Sequence, residues 1–158
     1  MSTIVATYTA AGSAEAAAAS LKKQLGAGLG GKKPALVMVF ASTDQPLEKL
    51  APAMARAFPE AAVLAASTAG EFTERGDVKK SVSAVAIAGD FAVRAGIGRG
   101  LRADPEAAVR MAIEGIPRAL PGYTHRTGII LLDPLSGNGE EATLIAASLL
   151  GDDIRLAG

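Results

Sequence analysis

The 158-residue chain contains no cysteine and no tryptophan, and aromatic residues make up only 4% of it. Without cysteine, the chain has neither a disulfide framework nor a thiolate zinc site, which fits a reducing compartment. Hydrophobic residues nevertheless account for 49% of the chain. Because so few of them are aromatic, the composition predicts a core built from alanine and aliphatic side chains.

The chain also has no excess charge, since sixteen basic and sixteen acidic side chains cancel. Nucleic-acid binding requires a basic patch, and Lys32 and Lys33 are better explained as the solvated end of a loop. No apolar run approaches the roughly 20 residues of a membrane-spanning helix, and no basic segment followed by an apolar one opens the chain as in a signal peptide. We therefore expect a cytoplasmic protein with no nucleic-acid and no membrane partner.

The pattern of apolar runs predicts an α/β fold. Continuous apolar runs at 35–41 and 61–66 are typical of strands that are covered on both faces. Ser13 is a suitable N-cap for an alanine-rich helix over 14–25. Two β-type runs, Ser81–Ala88 and Phe91–Ile97, flank a short Gly89-Asp90 turn and predict an antiparallel hairpin. Strand-helix-strand units around this hairpin predict a mixed, mostly parallel sheet with flanking helices.

The order strand, helix, strand, helix, strand occurs twice, which favours a duplicated β-α-β-α-β unit with pseudo-repeats at about 1–72 and 91–158. The alternative is that any alternating α/β sequence resembles itself. The second copy stops at Gly158, inside its last predicted strand. We therefore expect residues 1–158 to form a single domain that is truncated at its C-terminal end. An exposed sheet edge there could support a homo-oligomer.

Polar residues cluster where the predicted strands end. Ligands of open α/β sheets bind beyond the carboxyl ends of the strands, so this clustering indicates a ligand cleft. The alternative is that strand ends become polar simply because loops are polar. The candidate residues at these ends are Tyr8, Thr9, Ser42, Thr43, Asp44, Ser67, Thr68, Glu71, Asp133, Ser136 and Asn138.

The turn Ser67-Thr68-Ala69-Gly70-Glu71 is the most informative of these segments. Two hydroxyl groups directly after a buried strand can bind a small polar ligand. Gly70 would let the backbone approach the ligand closely or adopt a positive φ. Glu71 supplies one negative charge that could pair with an amino group.

This turn, followed by a polar gap and the hydrophobic run 81–87, resembles the FIST N-terminal domain, as does the stretch 35–44 before it. The resemblance implies a bacterial, intracellular sensory domain of signal transduction that binds a small polar metabolite, such as an amino acid. It also implies a partner, either a C-terminal FIST domain or a signalling output domain. Ser67, Thr68, Gly70 and Glu71 are carried over as ligand-site residues. The family commonly has Gly-Cys before the serine, whereas this chain has Ala65-Ala66, so no role of that cysteine is carried over.

Catalytic and metal sites have less support in the sequence. The one histidine, His125, precedes a predicted strand and so lies at its amino end, away from the expected cleft. Gly96 and Gly98 have the spacing of the first two glycines of a dinucleotide-binding fingerprint, but the third would fall at position 101, which is leucine. A tight turn explains the glycines at 96, 98 and 100 better. We therefore predict a non-catalytic domain without cofactor or metal. The alternatives are an enzyme of unknown reaction that uses Ser67 or Asp133 in the same cleft, or a structural fragment that mediates assembly.

Overall fold

The structure is a computed structural model that describes residues 2–10, 12–73, 76–78 and 80–158. It divides into two compact units, an N-terminal unit, Met1–Val93, and a C-terminal unit, Arg94–Gly158. The boundary between them falls close to residue 91, where the second predicted pseudo-repeat begins. That the chain forms a single domain stays a prediction.

The N-terminal unit is an α/β arrangement of two helices and several strands. The first five elements alternate strand and helix in the predicted order, and three short or medium strands follow them. Their bounds are β1 (Thr3–Ala10), α1 (Ala14–Leu29), β2 (Leu36–Ser42), α2 (Leu47–Ala57), β3 (Ala62–Thr68), β4 (Glu71–Thr73), β5 (Gly76–Val78) and β6 (Ser81–Ala88).

Helix α1 begins as predicted and ends later than predicted. Ser13 is its N-cap, and the Ser13 hydroxyl accepts a hydrogen bond from the Ala16 amide at 3.1 Å. The helix continues through Gly26 and Gly28 because Leu25 and Leu29, one turn apart, are both buried. Gly28 allows this close packing, since a Cβ added there would lie 2.5 Å from a methyl carbon of Val5.

Strands β1, β6, β2 and β3 form a four-stranded sheet in that order. Its mixed character is confirmed, but the prediction of mostly parallel pairing is wrong for this sheet. Strand β6 is antiparallel to both β1 and β2, and only β2 and β3 form a parallel pair. The reason is that β6 lies between β1 and β2 and separates two strands that point in the same direction.

The predicted hairpin between 81–88 and 91–97 is also wrong. Strand β6 forms as expected, but β1 and β2 occupy both of its hydrogen-bonding edges. No strand is assigned at 91–97 in the part of the chain that the structure describes. A different antiparallel hairpin, β4 with β5, lies in the segment before β6 that the sequence predicts as a polar connection.

Helices α1 and α2 pack on one face of the four-stranded sheet. The side chains of β2 on this face, Val37, Val39 and Ala41, are fully or almost fully buried with residues of both helices. On the opposite face, Met38 and Phe40 are half-buried. Within the N-terminal unit, therefore, the helices supply one of the two layers that the continuous apolar run of β2 predicts.

The C-terminal unit contains fewer elements and a smaller core. Its buried residues Val109, Ala142 and Ala146 join the two helices, and partly buried residues such as Ile130 and Leu156 pack against them. The two strands form one parallel pair, β7 with β8. The bounds of these elements are α3 (Pro105–Ile113), β7 (Arg126–Ile129), α4 (Gly139–Leu150) and β8 (Ile154–Ala157), with a short 3-10 helix at Pro134–Ser136.

Both units contain the order helix, strand, helix, strand with a parallel pair of strands. The first strand of the second predicted copy is not assigned among the described residues, so the duplicated β-α-β-α-β unit stays a prediction. The segment at 96–98 instead packs against α3. A Cβ added at Gly96 would lie 1.8 Å from the carbonyl oxygen of Ala112, and one at Gly98 would lie 1.9 Å from that of Ala108. These glycines therefore permit close backbone packing.

Candidate functional site

The carboxyl ends of β1, β2 and β3 lie at one edge of the four-stranded sheet. Strands β1 and β2 are both antiparallel to β6, so they run parallel to each other, and β3 runs parallel to β2. Ser42, at the end of β2, is the direct register partner of Thr68, at the end of β3. We call this the carboxyl edge of the N-terminal unit. It brings the predicted residues Ser42, Ser67 and Thr68 together.

The turn that follows β3 is open to solvent. Ser67 is exposed, and Thr68 is half-buried with its hydroxyl group 3.5 Å from the Ala41 carbonyl oxygen. Gly70 is exposed and lies outside the left-handed region. A Cβ added at Gly70 would meet no atom within 4 Å. Of the two roles expected for Gly70, the positive φ is excluded and the close approach of a ligand stays a prediction. No crowding by the described residues requires glycine there.

Glu71 is the first residue of β4, where it pairs in register with Val78 of β5. Strand β4 contacts β6, β1 and β2. Its backbone therefore lies beside the strands that form the sheet. The side chain of Glu71 lies outside the described part of the structure, and its part in a site stays a prediction.

The loop between β2 and α2 is held by its own side chains and by one distant contact. The Ser42 hydroxyl accepts a hydrogen bond from the Asp44 amide at 3.4 Å. Gln45 donates its side-chain Nε2–H to the Lys80 carbonyl oxygen at 3.2 Å, which ties the loop to the residue that precedes β6. Asp44 itself is exposed. Sequence reasoning missed Gln45, although a carboxamide among the polar strand-end residues was a usable signal.

In the C-terminal unit, Asp133, Ser136 and Asn138 follow β7 and lead into α4. The Asp133 Oδ1 accepts the Leu135 amide at 2.9 Å, and the buried Ser136 hydroxyl accepts the Asn138 amide at 3.3 Å. The side-chain amide of Asn138 donates to the carbonyl oxygens of Leu101, at 3.2 Å, and of Arg102, at 3.4 Å.

The Arg102 guanidinium group in turn donates to the Leu135 carbonyl oxygen. The polar residues of this loop therefore bind the loop itself and the segment that precedes α3. A shared pocket formed by Asn138 and the carboxyl edge of the N-terminal unit stays a prediction.

A surface depression lies at the opposite edge of the N-terminal sheet, near the amino ends of β2 and β3. It is lined by Pro34, Phe58 and Pro59, among others, with a volume of about 110 Å³, and the Lys33–Glu60 ion pair at 2.8 Å lies beside it. Ligand pockets are usually about 300 Å³ or larger. This depression is therefore a poor candidate site. Lys32 also has a partner, the Thr3 hydroxyl, at 2.6 Å.

Other kinds of site have little support. His125 is exposed and directly precedes β7, so it lies at the amino end of that strand as predicted. Among the described residues, no group of three histidine, cysteine or acidic side chains could hold a metal ion. Across the same residues, no helix combines the length and the apolar character needed to span a lipid bilayer.

The fold and the strand-end loops define an α/β domain with a polar carboxyl edge. The family model of the FIST N domain matches residues 35–158, which is most of the chain. The chain therefore belongs to the FIST family, whose domains are sensory domains of signal transduction. The matched region begins just before β2 and includes both strand-end loops and the turn after β3. A search of curated proteins finds no match to the chain.

Proposed function

We propose that this FIST domain is the ligand-binding part of a bacterial, cytoplasmic sensor and that it binds a small polar metabolite at the carboxyl edge of the N-terminal unit. The observation that carries the proposal is the register of Ser42 with Thr68. It brings the polar loop after β2 next to the hydroxyl-rich turn after β3. Open α/β sheets bind ligands at such an edge.

The environment of Gly70 supports this choice of site. Glycine is usually kept where the backbone adopts a positive φ or where another group approaches it closely. Gly70 meets neither condition among the described residues. Close approach of a ligand to the backbone would explain the glycine, and Ser67 beside it exposes a hydroxyl group that can bind the same ligand.

The acidic residues of this region indicate the chemical class of the ligand. Asp44 is exposed in the loop after β2, and Glu71 follows Gly70 directly. A carboxylate that accepts hydrogen bonds from an ammonium group forms one of the stronger polar contacts in proteins. The serine and threonine hydroxyl groups can both donate and accept. An amine-bearing metabolite, such as an amino acid, therefore suits the proposed site.

A thermal-shift screen against the twenty common amino acids and small carboxylic acids tests this proposal. We expect an amine-bearing compound to raise the melting temperature. Glu71→Gln should abolish that shift while leaving the unliganded melting temperature nearly unchanged. Gly70→Ala should weaken the shift in the same way, because the added methyl group meets none of the described residues and would lie against the ligand. Glu60→Gln is the matched control, since Glu60 lies at the opposite edge of the sheet.

An unaltered ligand shift in both Glu71→Gln and Gly70→Ala would overturn the proposed site. Labelling of Ser67 by a fluorophosphonate probe would instead favour the enzyme. Membership of the FIST family, whose domains are sensory, supports the sensor over that alternative.

As a sensor, the domain would pass its ligand-bound state to a C-terminal FIST domain or to a signalling output domain. Such coupling requires the ligand to bind one of two conformations more tightly than the other. Self-association is a second part of this proposal. Strands β1 and β3 are the outer strands of the four-stranded sheet, and Ile4 on β1 is 65% exposed. The unpaired side of an outer strand, which is distinct from the carboxyl edge, can pair with a second copy of the chain.

A further inference from the structure

One strand-to-helix loop in each unit is built in the same way. In the N-terminal unit, the Ser42 hydroxyl accepts the amide of Asp44, two residues later, at 3.4 Å. In the C-terminal unit, the Ser136 hydroxyl accepts the amide of Asn138, also two residues later, at 3.3 Å. Each serine thus closes a local turn between a parallel strand and the helix that follows it.

A carboxamide side chain then fastens each loop to a distant segment of its own unit. Gln45 donates to the Lys80 carbonyl oxygen at 3.2 Å, and Asn138 donates to the Leu101 carbonyl oxygen at 3.2 Å. Gln45 and Asn138 both stand within two residues of the start of the following helix. The C-terminal unit adds the reciprocal bond from Arg102 to Leu135. We call each arrangement a loop brace.

Carboxamides are scarce in this chain, which makes their presence in both loops informative. The sequence contains only three of them, Gln24, Gln45 and Asn138. Two of the three therefore lie in strand-to-helix loops, close to the start of the following helix. A carboxamide suits this place because it donates to a carbonyl oxygen without bringing a charge, whereas an ionised carboxylate can only accept.

The brace in the N-terminal unit acts on the proposed site. The loop that it holds carries Asp44, and the segment that it reaches lies between β5 and β6. Lys80 has a φ of 56°, a left-handed conformation that non-glycine residues seldom adopt. A conformation of this kind persists where surrounding contacts hold it, and the bond from Gln45 is one such contact.

We propose that Gln45 and Asn138 are positioning residues that fix the strand-to-helix loops of their own units, and that Asn138 holds its loop in place and does not contact the ligand. The consequence for ligand affinity rests on the proposed function. The brace itself is a property of the unliganded chain and is tested without ligand.

Hydrogen–deuterium exchange of the unliganded chain gives the first test. Gln45→Glu and Asn138→Asp keep the shape of each side chain and replace the donor by an acceptor. Loss of one hydrogen bond of this kind corresponds to roughly two- to tenfold faster local exchange. We expect that increase at 43–45 and 80–82 in the first variant and at 101–104 and 135–138 in the second, with the remaining amides unchanged. Exchange at these segments equal to that of the parent chain would overturn the brace.

Two sets of variants separate the brace from general effects of charge or stability. Glu48→Gln and Glu140→Gln change the charge by one unit in the first turn of the same helices and leave the carboxamides intact, so local exchange should stay close to that of the parent. Arg102→Ala removes the reciprocal bond at an exposed position, which keeps the test usable if Asn138→Asp unfolds. Arg99→Ala, three residues away and also exposed, is its matched control.

Ligand titration gives the second test, with the amino acid that produces the largest thermal shift in the parent chain. Gln45→Glu should weaken its affinity by roughly two- to tenfold, in step with the faster exchange at 43–45. Faster exchange with unchanged affinity would overturn the positioning role. If Glu71→Gln leaves the ligand shift intact, the proposed site fails, and the exchange data still decide the brace independently.

Discussion

The two units of this chain repeat one order of helices and strands but bury very different amounts of apolar surface. In the N-terminal unit, α1 and α2 pack on a four-stranded sheet, and the core includes large, fully buried residues such as Leu21, Leu25 and Met54. In the C-terminal unit, α3 packs on α4 and α4 contacts β8 of a single parallel pair, and the buried apolar residues are Ala108, Val109, Ala142 and Ala146.

Exposed apolar side chains show the same contrast. Ile4 is the large hydrophobic residue that the described part of the N-terminal unit exposes, whereas the C-terminal unit exposes several, including Leu135 at 79% and Ile97 at 73%. Stability comes mainly from apolar burial, so an identical order of elements does not give equal stability. The unit whose helices pack on the larger sheet therefore has the larger buried core.

The largest expected loss of stability comes from shortening one buried side chain in the core of each unit. Leu25→Ala should lower the free energy of unfolding by about 2–5 kcal/mol, because it leaves a cavity in a fully buried site. Val109→Ala should cost less, about 1–2 kcal/mol, because fewer buried methyl groups are lost. Urea unfolding followed by circular dichroism measures both values. Equal losses from the two substitutions would contradict the larger buried core of the N-terminal unit.

The next largest loss of stability is expected when a glycine that packs closely against a neighbouring residue is replaced by alanine. Gly96→Ala should destabilise the C-terminal unit by about 1–3 kcal/mol, because the new methyl group would overlap the backbone carbonyl group of Ala112 in α3. Gly28→Ala should cost less, because its obstacle is the Val5 side chain and alanine favours the helix by about 1 kcal/mol over glycine.

Thermal unfolding of the two variants gives the comparison, with Gly115→Ala as control. A Cβ at Gly115 would meet no atom within 4 Å. A Gly96→Ala chain as stable as the parent would show that the 96–98 segment does not pack closely on α3.

The smallest loss of stability is expected when the N-cap side chain of one helix in each unit is removed. The Ser13 hydroxyl accepts the Ala16 amide at the start of α1, and the Asp104 carboxylate accepts the Ala107 amide at 2.9 Å at the start of α3. Ser13→Ala and Asp104→Ala should each cost about 1 kcal/mol. Differential scanning calorimetry measures the losses, and Asp104→Asn, which keeps an oxygen acceptor, is the control. If Asp104→Asn is as damaging as Asp104→Ala, the cap does not explain the loss.

Local signals predicted most of the elements. The N-cap Ser13 and the strands at 35–41 and 61–66 follow from side-chain patterns that act over a few residues. The expected cover on both faces is wrong for β3, which is half-buried because it is an outer strand of the sheet. The polar strand ends were also visible, and the structure brings Ser42, Ser67 and Thr68 to one edge of the sheet. The FIST family was recognisable from the turn at 67–71, and the family model confirms it.

The errors arose where long-range pairing decides the outcome. The run 91–97 has the composition of a strand, but β1 and β2 already occupy both edges of its expected partner β6. Helix α1 was expected to end at Leu25, before Gly26 and Gly28. It continues to Leu29 because burial of that leucine offsets the low helix propensity of glycine. Gln45 was missed because its partner, Lys80, lies 35 residues further along the chain.

The class of the domain, the start of α1 with its Ser13 cap, and the polar character of the strand ends follow from the sequence, because each depends on residues that are close in the chain. The strand order, the position of β6 between β1 and β2, and the register of Ser42 with Thr68 follow only from the folded chain. These depend on backbone hydrogen bonds between distant segments. Such bonds are nearly indifferent to side-chain identity, so the pattern along the chain does not specify them.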